Sequence, residues 1–187
     1  MLDDKQRWNE KYLTCPMPSS VAAIVARYLA SAPVGHALDI ACGTGRHTRY
    51  LAEHGFSVDA VDYSDYALSQ IAEDPKITKI EADLDHYRIE AGRYDLIVNC
   101  NYLDRSMYSD IEAGLKPGGV LIFETFIDAR GEAEYHQPSN PDFVLRRNEL
   151  PEVFAALETL HYDEREDVNL RGERVRVASF VGRKADA

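Results

Sequence analysis

The stretch ALDIACGTGRHTRYLAEHGFSVDAVDYSD, residues 37–65, decides the fold. It opens on a short apolar run broken by Asp39 and bends at Gly43 and Gly45. A segment ending at Gly55 follows, and then a second apolar run that closes on Asp62. A short, nearly continuous apolar run reads as a strand covered on both faces. Gly43 and Gly45 reach backbone angles closed to other residues, and without side chains they let a ligand approach the main chain. Strand, glycine turn, helix and strand in succession are the repeating unit of a parallel sheet.

The same rhythm extends in both directions. SSVAAIVARYLASAP (19–33) reads as a helix capped by Ser19 or Ser20, with Val21, Ile24, Val25, Tyr28 and Leu29 on one apolar face. SDYALSQIAEDP (64–75) reads as a helix capped by Ser64 and limited by Pro75. ITKIEAD (77–83) and YDLIVNC (94–100) supply two further strands. MYSDIEAGL (107–115) is a helix, KPGG (116–119) a turn and VLIFETF (120–126) a fifth strand. ETLHYDEREDV (158–168) and RVRVASFVGR (174–183) break the alternation, with NLRG between them as a hairpin turn. The expected fold is therefore α/β: a doubly wound, mostly parallel seven-stranded sheet with an antiparallel C-terminal hairpin at one edge. One domain spans 1–187, with 1–33 as an N-terminal helical cap. Residues 127–145 read as a long loop, a length that in compact domains is often functional.

Composition narrows the function. With 187 residues, 45% of them hydrophobic, the chain holds one well-cored domain. Its 21 basic and 32 acidic residues give a net charge of −11, which repels phosphate backbones and argues against nucleic acid as a partner. No apolar run spans a bilayer and MLDDKQRWNEKYL has no signal-peptide core, so a cytoplasmic location with no membrane partner is expected. Cys15, Cys42 and Cys100 show neither disulfide nor metal-ligand spacing.

In an open α/β sheet, ligands sit beyond the carboxyl ends of the strands. Three successive strand ends here offer the glycine turn, Asp62 as an acceptor for two ribose hydroxyls, and Asp83 as an acceptor for an exocyclic amine. That set fits an adenosine-containing ligand, although a glycine turn by itself also serves as a plain connection. A dinucleotide site wants a small residue at the position held by Thr48, and no phosphate-loop Gly-Lys-Ser/Thr is present. The remaining adenosine ligand is S-adenosyl-L-methionine.

These residues resemble the class I S-adenosylmethionine-dependent methyltransferases. LDIACGTG (38–45) matches their first motif, Asp62 in VDAVDYS the acid after the second strand, and Asp83 in EADLD the acid near the adenine. YDLIVNCNYL matches the fourth-strand motif, and LKPGGVLIFETF the turn before strand five. RWNEKYL and NPDFVLRRNEL are similar to the tellurite-resistance and thiopurine-type small-molecule enzymes. Ala41 stands where the family often has its first glycine. The resemblance implies that Gly43 and Gly45, with the backbone of Ala41 and Cys42, border the methionine moiety and ribose. It places Asp39 toward the amino group, Asp62 on the ribose, Tyr63 against the adenine, Asp83 and Leu84 at the base edge, and Asn99 near the methyl. Trp8 and Tyr12 either fold over the cofactor or pack as an ordinary amphipathic helix.

The expected activity is methyl transfer to a small-molecule acceptor, by a monomer or homodimer, with no metal. A non-catalytic S-adenosylmethionine sensor or partner-supporting subunit is the alternative, and Thr48 counts against a nicotinamide enzyme. Tyr102, Arg105 and His136 are the candidate catalytic residues, with Glu124, Phe126, Tyr135 and Arg146 also expected on the acceptor side. His136 is a possible general base, since imidazole titrates near neutrality. His47 is expected to touch the cofactor or face solvent, and the charges of EREDVNLRGER to form a solvated hairpin.

Overall fold

The computed structural model describes residues 4–15, 17–169 and 171–186. Its sheet contains β1 (His36–Ile40), β2 (Ser57–Asp62), β3 (Ile77–Glu81), β4 (Tyr94–Cys100), β5 (Leu115–Phe126), β6 (Leu157–Val168) and β7 (Arg174–Lys184). Their spatial order is β3-β2-β1-β4-β5-β7-β6. The first five are parallel, and β7 runs antiparallel to both β5 and β6. Winding reverses between β1 and β4, which opens a crevice at their carboxyl ends. The doubly wound sheet with an antiparallel hairpin at one edge is as the sequence indicates.

Side chains alternate across the strands and build two cores. Leu38, Ile40, Ile97, Leu121, Phe123 and Phe180 face one side, packed with Ile111, Leu150 and Phe154. Ala37, Leu96, Val98, Val120, Ile122 and Val181 face the other, packed with Ile24, Val25 and Leu51. The helices are α1 (Asp4–Thr14), α2 (Ala23–Tyr28), α3 (Arg46–Glu53), α4 (Asp65–Ser69), α5 (Tyr108–Gly114) and α6 (Glu149–Val153).

Several local expectations need correction. The helix expected over 19–33 is only α2 with a 3-10 turn, Leu29–Ser31. Ala22, not Ser19 or Ser20, holds its cap position, with no side-chain hydrogen bond to the first turn. Ser64 does cap α4, accepting from the Ala67 N–H at 3.0 Å. That helix ends at Ser69 rather than near Pro75, because Ile71 turns inward and packs with Leu68, Ala60 and Cys42. KPGG lies inside β5 as a register irregularity opposite Tyr94–Leu96. A Cβ on Gly119 would sit 2.8 Å from the Lys116 carbonyl oxygen, so no other residue fits there. β3 stops at Glu81, short of Asp83.

Residues 127–145 are largely irregular, as expected, but the base of the loop is pinned. Ile127 bridges Leu145, and the Leu145 N–H donates to the Phe126 carbonyl at 2.8 Å. None of the helices among the described residues is long and apolar enough to cross a membrane.

Candidate functional site

A cavity of about 730 Å3 opens at the carboxyl ends of β1, β2, β4 and β5. One end is built by the β1–α3 connection. Ala41 and Gly43 both take positive φ, 52° and 55°, so the chain turns sharply and leaves Gly43 bare on the wall. Beside it lies Asp62, which is 5% exposed. Its Oδ2 accepts the Gly43 N–H and its Oδ1 the Ser64 N–H, each at 2.8 Å. Burial raises the Asp62 carboxyl, while those N–H groups work in the opposite direction. Cys42, Tyr63 and Leu84 complete this end. A Cβ on Gly43 would meet the Tyr12 hydroxyl at 2.9 Å, and that hydroxyl lies 3.4 Å from Asp62 Oδ2.

Tyr12 and Trp8 reach the cavity from α1, which buries none of its own residues. Polar contacts hold this helix down. Asn9 Nδ2 donates to Asp65 at 2.8 Å, Ser64 Oγ donates to Asn9 Oδ1 at 2.5 Å, and Lys5 pairs with Glu81 at 2.5 Å. Trp8 stays 40% exposed. The two aromatic residues therefore line the cavity without belonging to the buried core.

Of the residues singled out in the sequence, Trp8, Tyr12, Ala41, Cys42, Gly43, Asp62, Tyr63, Leu84, Tyr102 and His136 line the cavity. Glu124 and Phe126 line it too. Asp39, Gly45, Asp83, Asn99 and Arg105 do not. Gly45 caps α3 with φ 79° and faces Ile71. Asp83 turns to the Asp85 N–H, at 3.1 Å. Asn99 is buried, and its Oδ1 has no hydrogen-bond partner among the described residues. Arg105 is drawn away by Glu149, bonding its two carboxylate oxygens at 2.7 and 2.9 Å, and by the carbonyls of Asp142 and Val144. Tyr135 turns to Glu166 and Arg174, and Arg146 to Glu149.

Asp39 sits behind the glycine turn, 1% exposed, accepting from Thr48 Oγ1 at 2.6 Å. Thr48 thus serves the acid beneath the turn, which accounts for a hydroxyl where a dinucleotide site wants a small residue. Burial pushes the Asp39 carboxyl up from 3.8 to about 7, against the Thr48 hydrogen bond. The folded state then holds this proton more tightly than the unfolded chain, so the contribution to stability falls as pH rises through that window and levels off above about 7. Asp39→Asn keeps an acceptor for Thr48 and removes the titration. Its stability advantage over the parent should grow between about pH 4 and about pH 7 in urea denaturation. A gap that stays constant with pH would contradict this.

The opposite end of the cavity comes from Glu124 and Phe126 on β5, Arg165 and Asp167 on β6, and Val175 and Val177 on β7. Arg171 and Glu173 at the hairpin tip also face it. The charged hairpin is therefore a wall of the site and not merely solvated, which corrects the sequence reading (Leu170 lies outside the described residues). The signal lay in strand alternation, which puts Arg165 and Asp167 on one face. His47 is buried and faces the cavity. It accepts the Ala22 N–H on Nε2 at 3.3 Å, and burial lowers it to about 3, so the ring is neutral. Burial raises the thiols of Cys42 and Cys100 and the phenol of Tyr102, leaving all three protonated near neutrality. His136 is half exposed, 3.8 Å from Glu173.

Comparison with known proteins agrees with this geometry. A family described as a methyltransferase domain matches residues 37–119. YqeM of Bacillus subtilis, provisionally named a methyltransferase, is 32% identical over 103 residues, covering 48% of this chain and 42% of its own. TehB of Haemophilus influenzae, designated a probable S-adenosyl-L-methionine-dependent methyltransferase, is 25% identical over 161 residues, covering 79% and 56%. The crystal structure of that TehB superposes with a TM-score of 0.73 at 22% identity, covering 96% of this chain and 66% of that one. The chain spans about half the length of the curated relatives it matches.

Proposed function

We propose that this chain is an S-adenosylmethionine-dependent methyltransferase that methylates a small molecule held beside Glu124 and the β6–β7 hairpin. The observation that carries the reading is one cavity with two unlike ends. A bare glycine beside a buried carboxylate lies at one, and a partly apolar wall at the other. The first end suits an adenosyl ligand: Gly43 carries no side chain, the Tyr12 hydroxyl is the nearest group to where its Cβ would stand, at 2.9 Å, and the Asp62 carboxylate lies beside it.

When bound, S-adenosylmethionine supplies an activated methyl group. The residues of this chain bind and align. Asp62 takes the ribose hydroxyls, Tyr63 and Leu84 flank the base, and Tyr12 and Trp8 close the mouth against water. Such a site derives most of its rate from proximity and orientation. Tyr102 stays a protonated phenol and serves as a hydrogen-bond donor, not as a base.

The test is calorimetric titration with S-adenosylmethionine, S-adenosylhomocysteine and NAD, followed by labelled methyl transfer to a panel of small acceptors. Binding of the first two and label in a small product are expected. Tight NAD binding without S-adenosylmethionine binding would overturn the proposal, and cofactor binding with no acceptor across the panel would favour a sensor.

A further inference from the structure

We infer that Glu124 selects the methyl acceptor, and that the acceptor arrives with its proton on: a hydroxyl or amine carried by an apolar body. This rests on the reading of the cavity as a methyl-transfer site.

Glu124 sits at the carboxyl end of β5, paired with Cys100 on β4 and Ser179 on β7. Its side chain lines the cavity and is 13% exposed. One oxygen is fully engaged: Oε2 accepts from Ser179 Oγ at 2.5 Å and from Arg165 Nη2 at 2.8 Å. Oε1 has no hydrogen bond among the described residues, and it is not among the buried atoms that lack a partner. The carboxylate is therefore braced through one oxygen and offers the other to the cavity. A fixed acceptor calls for a donor opposite it.

Lys11, Arg46 and Arg171 also line the cavity, but the charges in contact with Glu124 itself argue against an anion at that carboxylate. Arg165 is the guanidinium nearest to Glu124, and it is already shared. Besides Glu124 it pairs with Asp163 at 3.2 Å and Asp167 at 3.5 Å, and it donates to Ser179 Oγ. Three carboxylates surround one cation, so an incoming anion would have to displace a carboxylate and then face it. Phe126, Pro138, Val175 and Val177 supply apolar wall for the rest of the molecule.

The reaction then balances without a further reagent. As the acceptor's lone pair forms the bond to the methyl carbon, the carbon–sulfur bond breaks and its electron pair stays on sulfur. The O–H or N–H proton passes to Glu124 Oε1 and on to water. A thiol that reacts as its thiolate needs no such transfer.

The experiment uses the intact chain. Labelled methyl transfer is measured for phenols, alkylamines, thiols and inorganic oxyanions with the parent and with Glu124→Gln. The parent is expected to turn over a hydroxyl or amine acceptor and no oxyanion. The variant should lose at least about tenfold in kcat/KM for that acceptor and retain S-adenosylhomocysteine affinity. Turnover of oxyanions but of no hydroxyl or amine would overturn the inference, and this arm does not depend on the variant folding. An unchanged rate in a folded Glu124→Gln protein would also overturn it. Failure of the parent to bind S-adenosylhomocysteine would instead remove the methyl-transfer reading beneath it.

Discussion

Asp62→Ala should weaken S-adenosylmethionine binding by at least tenfold, as measured by calorimetry, with the far-ultraviolet circular dichroism unchanged. A charge-assisted hydrogen bond contributes roughly 1.5–3 kcal/mol, and each 1.4 kcal/mol is about a factor of ten in affinity. Asp62 also accepts the N–H groups of Gly43 and Ser64, so its loss loosens the turn as well as the ligand contact. Asp62→Asn separates the two effects. It can keep one of those acceptor roles but carries no charge, and it should fall between the parent and the alanine variant. Equal affinity in parent and alanine variant would remove Asp62 from the ligand site.

The largest expected loss of stability comes from a residue outside the cavity. Glu149 is 1% exposed and gathers four donors: Arg105 through both oxygens, the Tyr108 hydroxyl at 2.9 Å and the Arg146 N–H at 2.8 Å. Through Arg105, which also donates to the carbonyls of Asp142 and Val144, it ties down the end of the 127–145 loop. Glu149→Ala strands these donors. Breaking a buried pair costs about 3–5 kcal/mol, and the lower figure applies here because Arg105 reaches solvent. In a chain of this size that corresponds to a fall in Tm of roughly 6–12 °C. Burial raises the Glu149 carboxyl, but the hydrogen bonds from Arg105, Arg146 and Tyr108 outweigh it and hold the group below its ordinary 4.5. The contribution is thus complete above that value and is lost as pH falls through the depressed one. Parent and variant melting temperatures should converge in acid. A variant melting within about 2 °C of the parent at neutral pH would refute this account.

The sequence made the glycine-and-carboxylate end of the cavity legible because local signals meet there. An apolar strand, a glycine turn and an acid at the next strand end lie within one short segment, and the sheet rule says where they point. It did not say where Arg105 and Asp39 turn, because proximity along the chain to a strand end does not fix a side chain's direction. Arg105 follows Glu149, more than forty positions away, and Asp39 is claimed by Thr48 beneath the turn. The hairpin misled for a different reason. Its alternating charges look solvated in isolation, and only the pairing of β7 with β5 brings Arg165 against Glu124.

The two ends of the cavity come from separate stretches of chain. Residues 41–84 supply the turn, Asp62 and Leu84, whereas Glu124 and everything from the hairpin lie beyond residue 119, where the match to the methyltransferase domain ends. On the proposed reading, the grip on the cofactor and the choice of acceptor are thus written in different parts of the polypeptide. Mutation can redraft the second without erasing the first, so relatives alike in their opening halves need not share a substrate.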